Sequence, residues 1–211
     1  MELSESKVVE PWILASFLAT KTQSIRFVLP VSRDLSTRPG ILAKMAASLD
    51  LLSRGRLILG VPAEISRSDS TDELLRLLFE LWSGDVDSQI NFEGKYFKLK
   101  NAESAPKPAR KPHPEMLIEL GNSGESRSAT KLAASYADIA LMNSSKQLGG
   151  EEEELRTACL ELNRDYSTIK RAVKLGLEVE DLSKVNADYI FLELPPSGGL
   201  DTLKKKRLNY H

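Results

Sequence analysis

Cysteine occurs once in the 211 residues, histidine twice, and aromatic residues make up 6%. A single Cys159 forms no internal disulfide, which fits a reducing compartment. It lies in the helical run EEEELRTACLEL, where a packed thiol is the expected role rather than a nucleophile. With His113 and His211 as the only histidines and no second cysteine, zinc-ligand spacing cannot be assembled, and no metal site is expected. His113 sits in KPHPE and reads as a solvated loop residue rather than a general base. No apolar run approaches the roughly 18 residues of a membrane span, and the opening MELSESKVVE is polar and acidic rather than a basic leader. A cytoplasmic protein without membrane contact is the expectation. An excess of one charge is also missing. Lys and Arg total 29 against 30 Asp and Glu, a net charge of -1, and the signs interleave. That excludes a duplex-sized cationic face, so nucleic acid is not an expected partner.

What is present is apolar content of 41%, enough over 211 residues for one sizeable core, read here as a single domain over 1–211. The apolar periodicity switches repeatedly between helical and strand-like. Pro11 to Ala19 reads as a helix with proline in its first turn, Ile25 to Val31 as a short buried strand, and Ile41 to Leu52 as a helix. Leu57 to Val61 follows as a strand, then a helix from about Ser70 to Trp82 with acidic residues in its first turn, ended by Gly84. INFEGKYFKLK, residues 90 to 100, predicts two strands turning at Glu93 and Gly94, and APKPARKPHP an extended surface connector. Beyond it the pattern gives strand Met116 to Leu120, helix Ser126 to Tyr136, strand Ile139 to Met142, helix Glu151 to Leu162, strands Val173 to Glu178 and Tyr189 to Leu194, and a closing Lys-rich helix. Trp12 and Trp82 fall on apolar helix faces and read as core. The acidic run at 151–154 reads as a solvated first turn, and the Lys204 to Arg207 cluster as a helix end meeting its dipole.

Near-continuous apolar strands alternating with helices predict an α/β protein with a parallel sheet. About six such strands occur, fewer than the eight of a closed (β/α) barrel. Ligands bind such folds at the carboxyl ends of the strands. One strand end holds a candidate on its own residues: GNSGES, Gly121 to Ser126. Between a strand and a helix, the amides and hydroxyls of GNSGES suit a phosphate, and they equally suit an ordinary turn capped by Ser123 or Ser126.

EPWILASFLATKTQSIRF, RPGILAKMAASLDLLSRGRLILGV, ELWSG with NFEGKYFKL, and IELGNSGESRSATKLAASYADIALM resemble, in that order, the bacterial luciferase-like family of flavin- and deazaflavin-dependent oxidoreductases. The resemblance covers roughly residues 9 to 143. It implies an incomplete (β/α) TIM-like barrel with an inserted β-hairpin, and reduced flavin mononucleotide or a deazaflavin coenzyme held at the strand ends. In that reading Gly121, Asn122, Ser123 and Ser126 hold the cofactor phosphate. Val31 and Ser32 approach the isoalloxazine ring, at a strand end that in the family often carries a strained non-proline cis peptide.

Two departures stand out. Family members place a strand, a helix and a second strand ahead of the EPWILASF segment, where here only MELSESKVV precedes it. They also carry a long loop after the strand matching Leu57 to Val61, where here PAEISRSDS runs straight into a helix. The residues therefore support an oxidoreductase or monooxygenase scaffold acting on a small molecule, with no catalytic residue named. They also leave open a non-catalytic binding or assembly module, and a chain completed by another polypeptide. Apolar faces on LASFLA and LAKMAASLDLL, together with a strand edge at Ile25 to Val31, lead to the expectation of a homodimer built on the helices at 11–20 and 41–52.

Overall fold

In the computed structural model the described residues are 9–66, 68–121, 127–143, 148–176 and 185–192. They fall into two compact units, one running to Leu117 and the other beginning at Ile118.

The first unit contains α1 (Pro11–Lys21), β1 (Phe27–Pro30), α2 (Arg33–Ser36), α3 (Pro39–Ser53), β2 (Leu57–Val61), α4 (Ala63–Ser66), α5 (Thr71–Trp82), the hairpin β3 (Gln89–Glu93) and β4 (Lys98–Glu103), and the start of β5 (Glu115–Glu119). Its parallel strands lie in the order β1-β2-β5, with Phe27 opposite Leu57 and Pro30 opposite Gly60. β2 is buried at every position, and α3 and α5 cover it with Leu42, Ala46, Leu74, Leu75 and Leu78, all at most 1% exposed. Trp82 ties the two helices together by donating from Nε1 to the Ala43 carbonyl at 3.1 Å. Both tryptophans are core, as the sequence predicts, at 7% exposure for Trp12 and 1% for Trp82.

The second unit completes β5 and adds α6 (Arg127–Tyr136), β6 (Ile139–Asn143), α7 (Leu148–Glu161), the 3-10 turn Tyr166–Thr168, β7 (Lys170–Leu175) and β8 (Tyr189–Leu192). Its order is β5-β6-β7-β8, parallel at β6/β7 and β7/β8. Small residues let α6 sit close to its neighbours: Ala129, Ala133 and Ala134 are fully buried. Cys159 is buried in α7, as expected, and burial pushes its thiol up, away from the nucleophilic thiolate.

Several expected boundaries move, each for a local reason. β1 begins at Phe27 rather than Ile25, because the Ile25 carbonyl is taken by the Arg56 guanidinium at 2.6 Å. Phe27 and Val31 donate their amides to Arg56 and Gly60 of the neighbouring strand segment, so the alternate positions Val28 and Pro30 face away from β2. Proline has no N–H to offer there, which blunts an edge expected to carry unpaired groups. The turn after β2 does not run straight into a long helix; the one-turn α4 intervenes, its Ile65 and Ser66 amides bonded to the Pro62 carbonyl. The proline-rich connector is not a surface strap. Lys107 is 7% exposed and donates to the Leu81 and Ser83 carbonyls at 3.0 and 2.6 Å, closing the end of α5. His113 is half-buried and stacked on Phe79 with centroids 4.3 Å apart, where a solvated loop residue was expected. α7 starts at Leu148, so the acidic run is only partly solvated: Glu151 is buried in the first turn and Glu152 pairs with Arg156 at 2.7 Å and Arg171 at 3.5 Å, while Glu153 and Glu154 are exposed. β7 comes three residues earlier than predicted, since the Arg171 amide and carbonyl are both engaged by Asp188. The expected Lys-rich closing helix lies outside the described residues.

Two arginines close helices by the same device. Arg56 donates to the carbonyls of Ala19 (2.8 Å), Thr22 (3.0 Å) and Ile25 (2.6 Å) at the end of α1. Arg164 donates to those of Ala133 (3.3 Å), Ala134 (2.9 Å) and Ala137 (2.6 Å) at the end of α6. Each follows a residue in the left-handed region, Gly55 at φ 79° and Asn163 at φ 52°. The hairpin is held differently. Glu73, in the first turn of α5, points its carboxylate into the β3–β4 turn and accepts the amides of Lys95 (2.9 Å), Tyr96 (2.9 Å) and Phe97 (2.6 Å). A Cβ at Gly94 would lie 2.0 Å from Glu73 Oε1, so glycine is required there by the carboxylate. Burial alone would raise this carboxyl, but the three amides outweigh it and hold the acid below its ordinary 4.5.

Arg56→Ala and Arg164→Ala are each expected to cost about 2–3 kcal/mol by stranding helix-end carbonyls. Lysine should recover only part of this, because an ammonium cannot span the carbonyls as the planar fork does. Urea midpoints at unchanged slope provide the measurement, and an unshifted midpoint would show that water satisfies those carbonyls instead. For Glu73 the folded value lies below the unfolded one, so its contribution is complete above about pH 4.5 and is lost as pH falls through the lowered value. Stability measured against pH should therefore lose this acid-limb component in Glu73→Gln, and Gly94→Ala should add little once Glu73 is replaced by alanine.

Candidate functional site

The carboxyl ends of the parallel strands are where this architecture leaves backbone and loop groups free to meet a ligand. In the first unit β1 delivers Val31 and Ser32. Val31 is 1% exposed, and its amide is held by the Gly60 carbonyl at 2.7 Å, so it can offer only an apolar surface. Ser32 is exposed and caps the four-residue α2, its Oγ accepting the Leu35 amide at 3.3 Å. That bond leaves the hydroxyl proton available as a donor. β1 and β2 approach tightly here: a Cβ on Gly60 would stand 3.5 Å from Val28 Cγ1. The cis peptide bonds among the described residues, Ala105–Pro106 and Lys111–Pro112, both precede proline and lie in the connector, not at the end of β1.

In the second unit β5 runs out at Gly121, buried and at φ 82°, a left-handed backbone that glycine adopts without a side-chain penalty. Asn122, Ser123 and Ser126, the remaining candidates of the GNSGES segment, lie outside the described residues. The next described element is α6. Like α1 and α3, and unlike α5 and α7, α6 has no acid in its first turn, and it begins with the exposed cation Arg127. A positive helix end beside a guanidinium suits an anion.

Other titratable clusters serve the scaffold. Asp50 is fully buried and accepts the Arg110 amide at 2.8 Å, anchoring the connector to the end of α3, and burial outweighs its hydrogen bonds to push the carboxyl up. Glu115, 1% exposed, pairs with Arg26 and, at 3.6 Å, with Arg110. Tyr166 is pushed up to about 12 by burial and by Glu152. Among the described residues no group of His, Cys, Asp or Glu could hold a metal ion, and no helix is long and apolar enough to cross a membrane. A cavity of about 550 Å³ between α6 and α7 is lined by Arg127, Thr130 and Lys131 on one side and Glu153, Glu154 and Thr157 on the other. Its lining comes from the two helices, and it shares Arg127 with the start of α6.

Sequence reasoning missed Arg56, Arg164, Glu73 and Lys107. The arginines had a legible signal, a left-handed Gly or Asn just past a helix followed directly by Arg. Glu73 had none, because its partner turn is more than twenty residues away and it reads as ordinary first-turn charge.

A fold of this kind recurs in solved structures. An F420-dependent secondary alcohol dehydrogenase, in complex with an F420-acetone adduct, superposes with a TM-score of 0.66 at 18% identity, covering 82% of this chain and 56% of that one. The coenzyme F420-dependent tetrahydromethanopterin reductase from Methanopyrus kandleri gives 0.66 at 16%, covering 83% and 57%. The oxygenating constituent of 3,6-diketocamphane monooxygenase from Pseudomonas putida, in complex with FMN, gives 0.58 at 24%, covering 78% and 52%. The chain thus spans just over half the length of the solved proteins it matches. Its architecture is α/β, an incomplete (β/α) TIM-like barrel with an inserted β-hairpin, as the alternation of strands and helices predicts. A family model described as luciferase-like monooxygenase matches residues 2–181, and the chain accordingly belongs to that family.

Proposed function

We propose that this chain is a luciferase-like oxidoreductase or monooxygenase unit, working in the cytoplasm on a small organic substrate, that binds reduced flavin mononucleotide or a deazaflavin coenzyme at its strand ends. The observation that carries the reading is the pairing of Gly121, at φ 82°, with the acid-free first turn of α6 and its Arg127. Both cofactor classes present a phosphate, and a helix start with no acid in its first turn accommodates an anion. Gly121, Asn122, Ser123 and Ser126 would hold the phosphate. A bound reduced cofactor supplies the hydride or the oxygen chemistry, while the protein orients it and excludes water.

A second reading, a non-catalytic binding module, is favoured by the turn after β2. Ala63–Ser66 contributes buried Ala63 and Ile65 and no aromatic or basic group where a ring or substrate would need one.

Titration with FMN, riboflavin and a deazaflavin coenzyme separates the two. The phosphorylated cofactor is expected to bind, with riboflavin much weaker. Ser123→Ala with Ser126→Ala should weaken the phosphorylated cofactor by roughly tenfold to a hundredfold and leave riboflavin unchanged. Equal affinity for FMN and riboflavin would remove the phosphate site, and no binding of any of the three by folded protein would decide for the module.

A further inference from the structure

The groove of about 550 Å³ between α6 and α7 has the volume of a small-molecule site and walls of opposite sign. Its floor is made of small residues: Thr130 and Ala158 are 6% and 8% exposed, and the Thr157 hydroxyl is spent on the Glu153 carbonyl at 2.9 Å. Arg127 and Lys131 line the α6 side, Glu153, Glu154 and Glu161 the α7 side, and all five are exposed. Opposite charges on adjoining helices can pair across the seam. Among the described residues no ion pair spans this one. Neither wall is balanced from within its own helix. Arg127 and Lys131 stand one turn apart with like charge, an arrangement that weakens a helix. On α7, Arg156 is committed to Glu152 at 2.7 Å, and Arg164 beyond it to the carbonyls that end α6.

We propose that this groove binds an extended zwitterion, a small molecule whose carboxylate meets Arg127 and Lys131 and whose ammonium meets Glu153 and Glu154. A simple anion satisfies the α6 wall and is repelled by the carboxylates facing it, and a simple cation meets the converse. Only a ligand carrying both signs is attracted by both walls. Its charges must also be well separated. Packed helices run about 8–10 Å apart, and a ligand with both charges at one end reaches a single wall. One the length of a dipeptide, about 7 Å between its ends, reaches both. The like charges of Arg127 and Lys131 then converge on one carboxylate, which turns their repulsion into a two-cation clamp. Arg127 also stands at the start of α6, beside the proposed phosphate site, whereas Lys131 and Glu154 belong to the groove and not to that site.

Two-dimensional NMR titration of the whole chain, free of cofactor, tests this with ε-aminocaproate as the probe. Saturable shifts are expected on α6 and α7, with a Kd on the order of 1 mM for so small a ligand. Caproate and hexylamine, each carrying one of the two charges, should bind at least roughly fivefold more weakly, and glycine, whose charges lie too close together, should not saturate. Lys131→Glu and Glu154→Lys should each weaken the probe by roughly fivefold or more with unchanged circular dichroism and an unchanged FMN titration. The double variant Lys131→Glu/Glu154→Lys should bind better than either single variant, because its walls again oppose each other at these positions. Equal binding of caproate, hexylamine and ε-aminocaproate overturns the proposal, as do shifts confined to residues away from the two helices. Folded wild type that shows no saturable shift overturns it as well. FMN binding is read separately, so a failure of the cofactor reading leaves these outcomes as they stand.

Discussion

Parallel strands must return through helices, and every helix that ends against a sheet leaves its last carbonyls without partners inside the helix. This chain meets that constraint with guanidinium groups sent from one repeat back to the helix of the repeat before. Arg56, at the start of β2, closes α1, and Arg164, ahead of β7, closes α6. Both arginines sit directly after a left-handed residue that stops the intervening helix, so one short stretch ends one helix and caps another. Because the guanidinium fork has a fixed shape, it also fixes where the next strand can begin. At β1 the Ile25 carbonyl goes to Arg56, and pairing starts at Phe27. The strand ends that form the candidate site are therefore positioned from the opposite end of the strands.

The elements that were legible in the sequence are those whose cause is local or periodic. β2 shows through LILGV because it is buried at every position, and α5 shows through its acidic start and leucine spacing. The elements that moved are those whose limits are set by distant groups. α7 extends to Leu148, and Glu151 and Glu152 are drawn in while Glu153 and Glu154 stay exposed, with Arg156 and Arg171 pairing with Glu152. The connector reads as an exposed strap from its prolines, yet Lys107 and the Asp50 bond to Arg110 pull it onto α3 and α5. An ammonium and a carboxylate far apart in sequence carry no periodic signature, so no pattern analysis reaches them.

The candidate site divides along the same line. Gly121 was legible as a strand-to-helix glycine, and its φ of 82° gives that glycine a physical reason. The weight of Arg127 was not legible. A lone arginine at a helix start carries no periodic signal, and α1 and α3 likewise begin without an acid in the first turn. Val31 and Ser32 were placed by resemblance, and geometry narrows what each can contribute, the first to an apolar surface and the second to one hydroxyl proton.

FEGKYF and the helix before it form one mechanical unit. Glu73 grips the hairpin turn through three amides and occupies the volume a side chain at position 94 would need. The hairpin is an insertion between α5 and the connector, and without the carboxylate its turn would be tied to the unit only through its strands' own side chains. Phe92 is the buried apolar anchor on β3, at 7% exposure, while β4 alternates between exposed and half-buried positions. Apolar burial alone would hold such a hairpin loosely, because a two-stranded ribbon is marginal in water. The charged anchor makes its position depend on α5, and Trp82 binds α5 to α3 through the Ala43 carbonyl. The path from hairpin turn to α3 is thus a chain of directional bonds, with Glu73 at one end and Trp82 at the other. α3 packs in turn against α1.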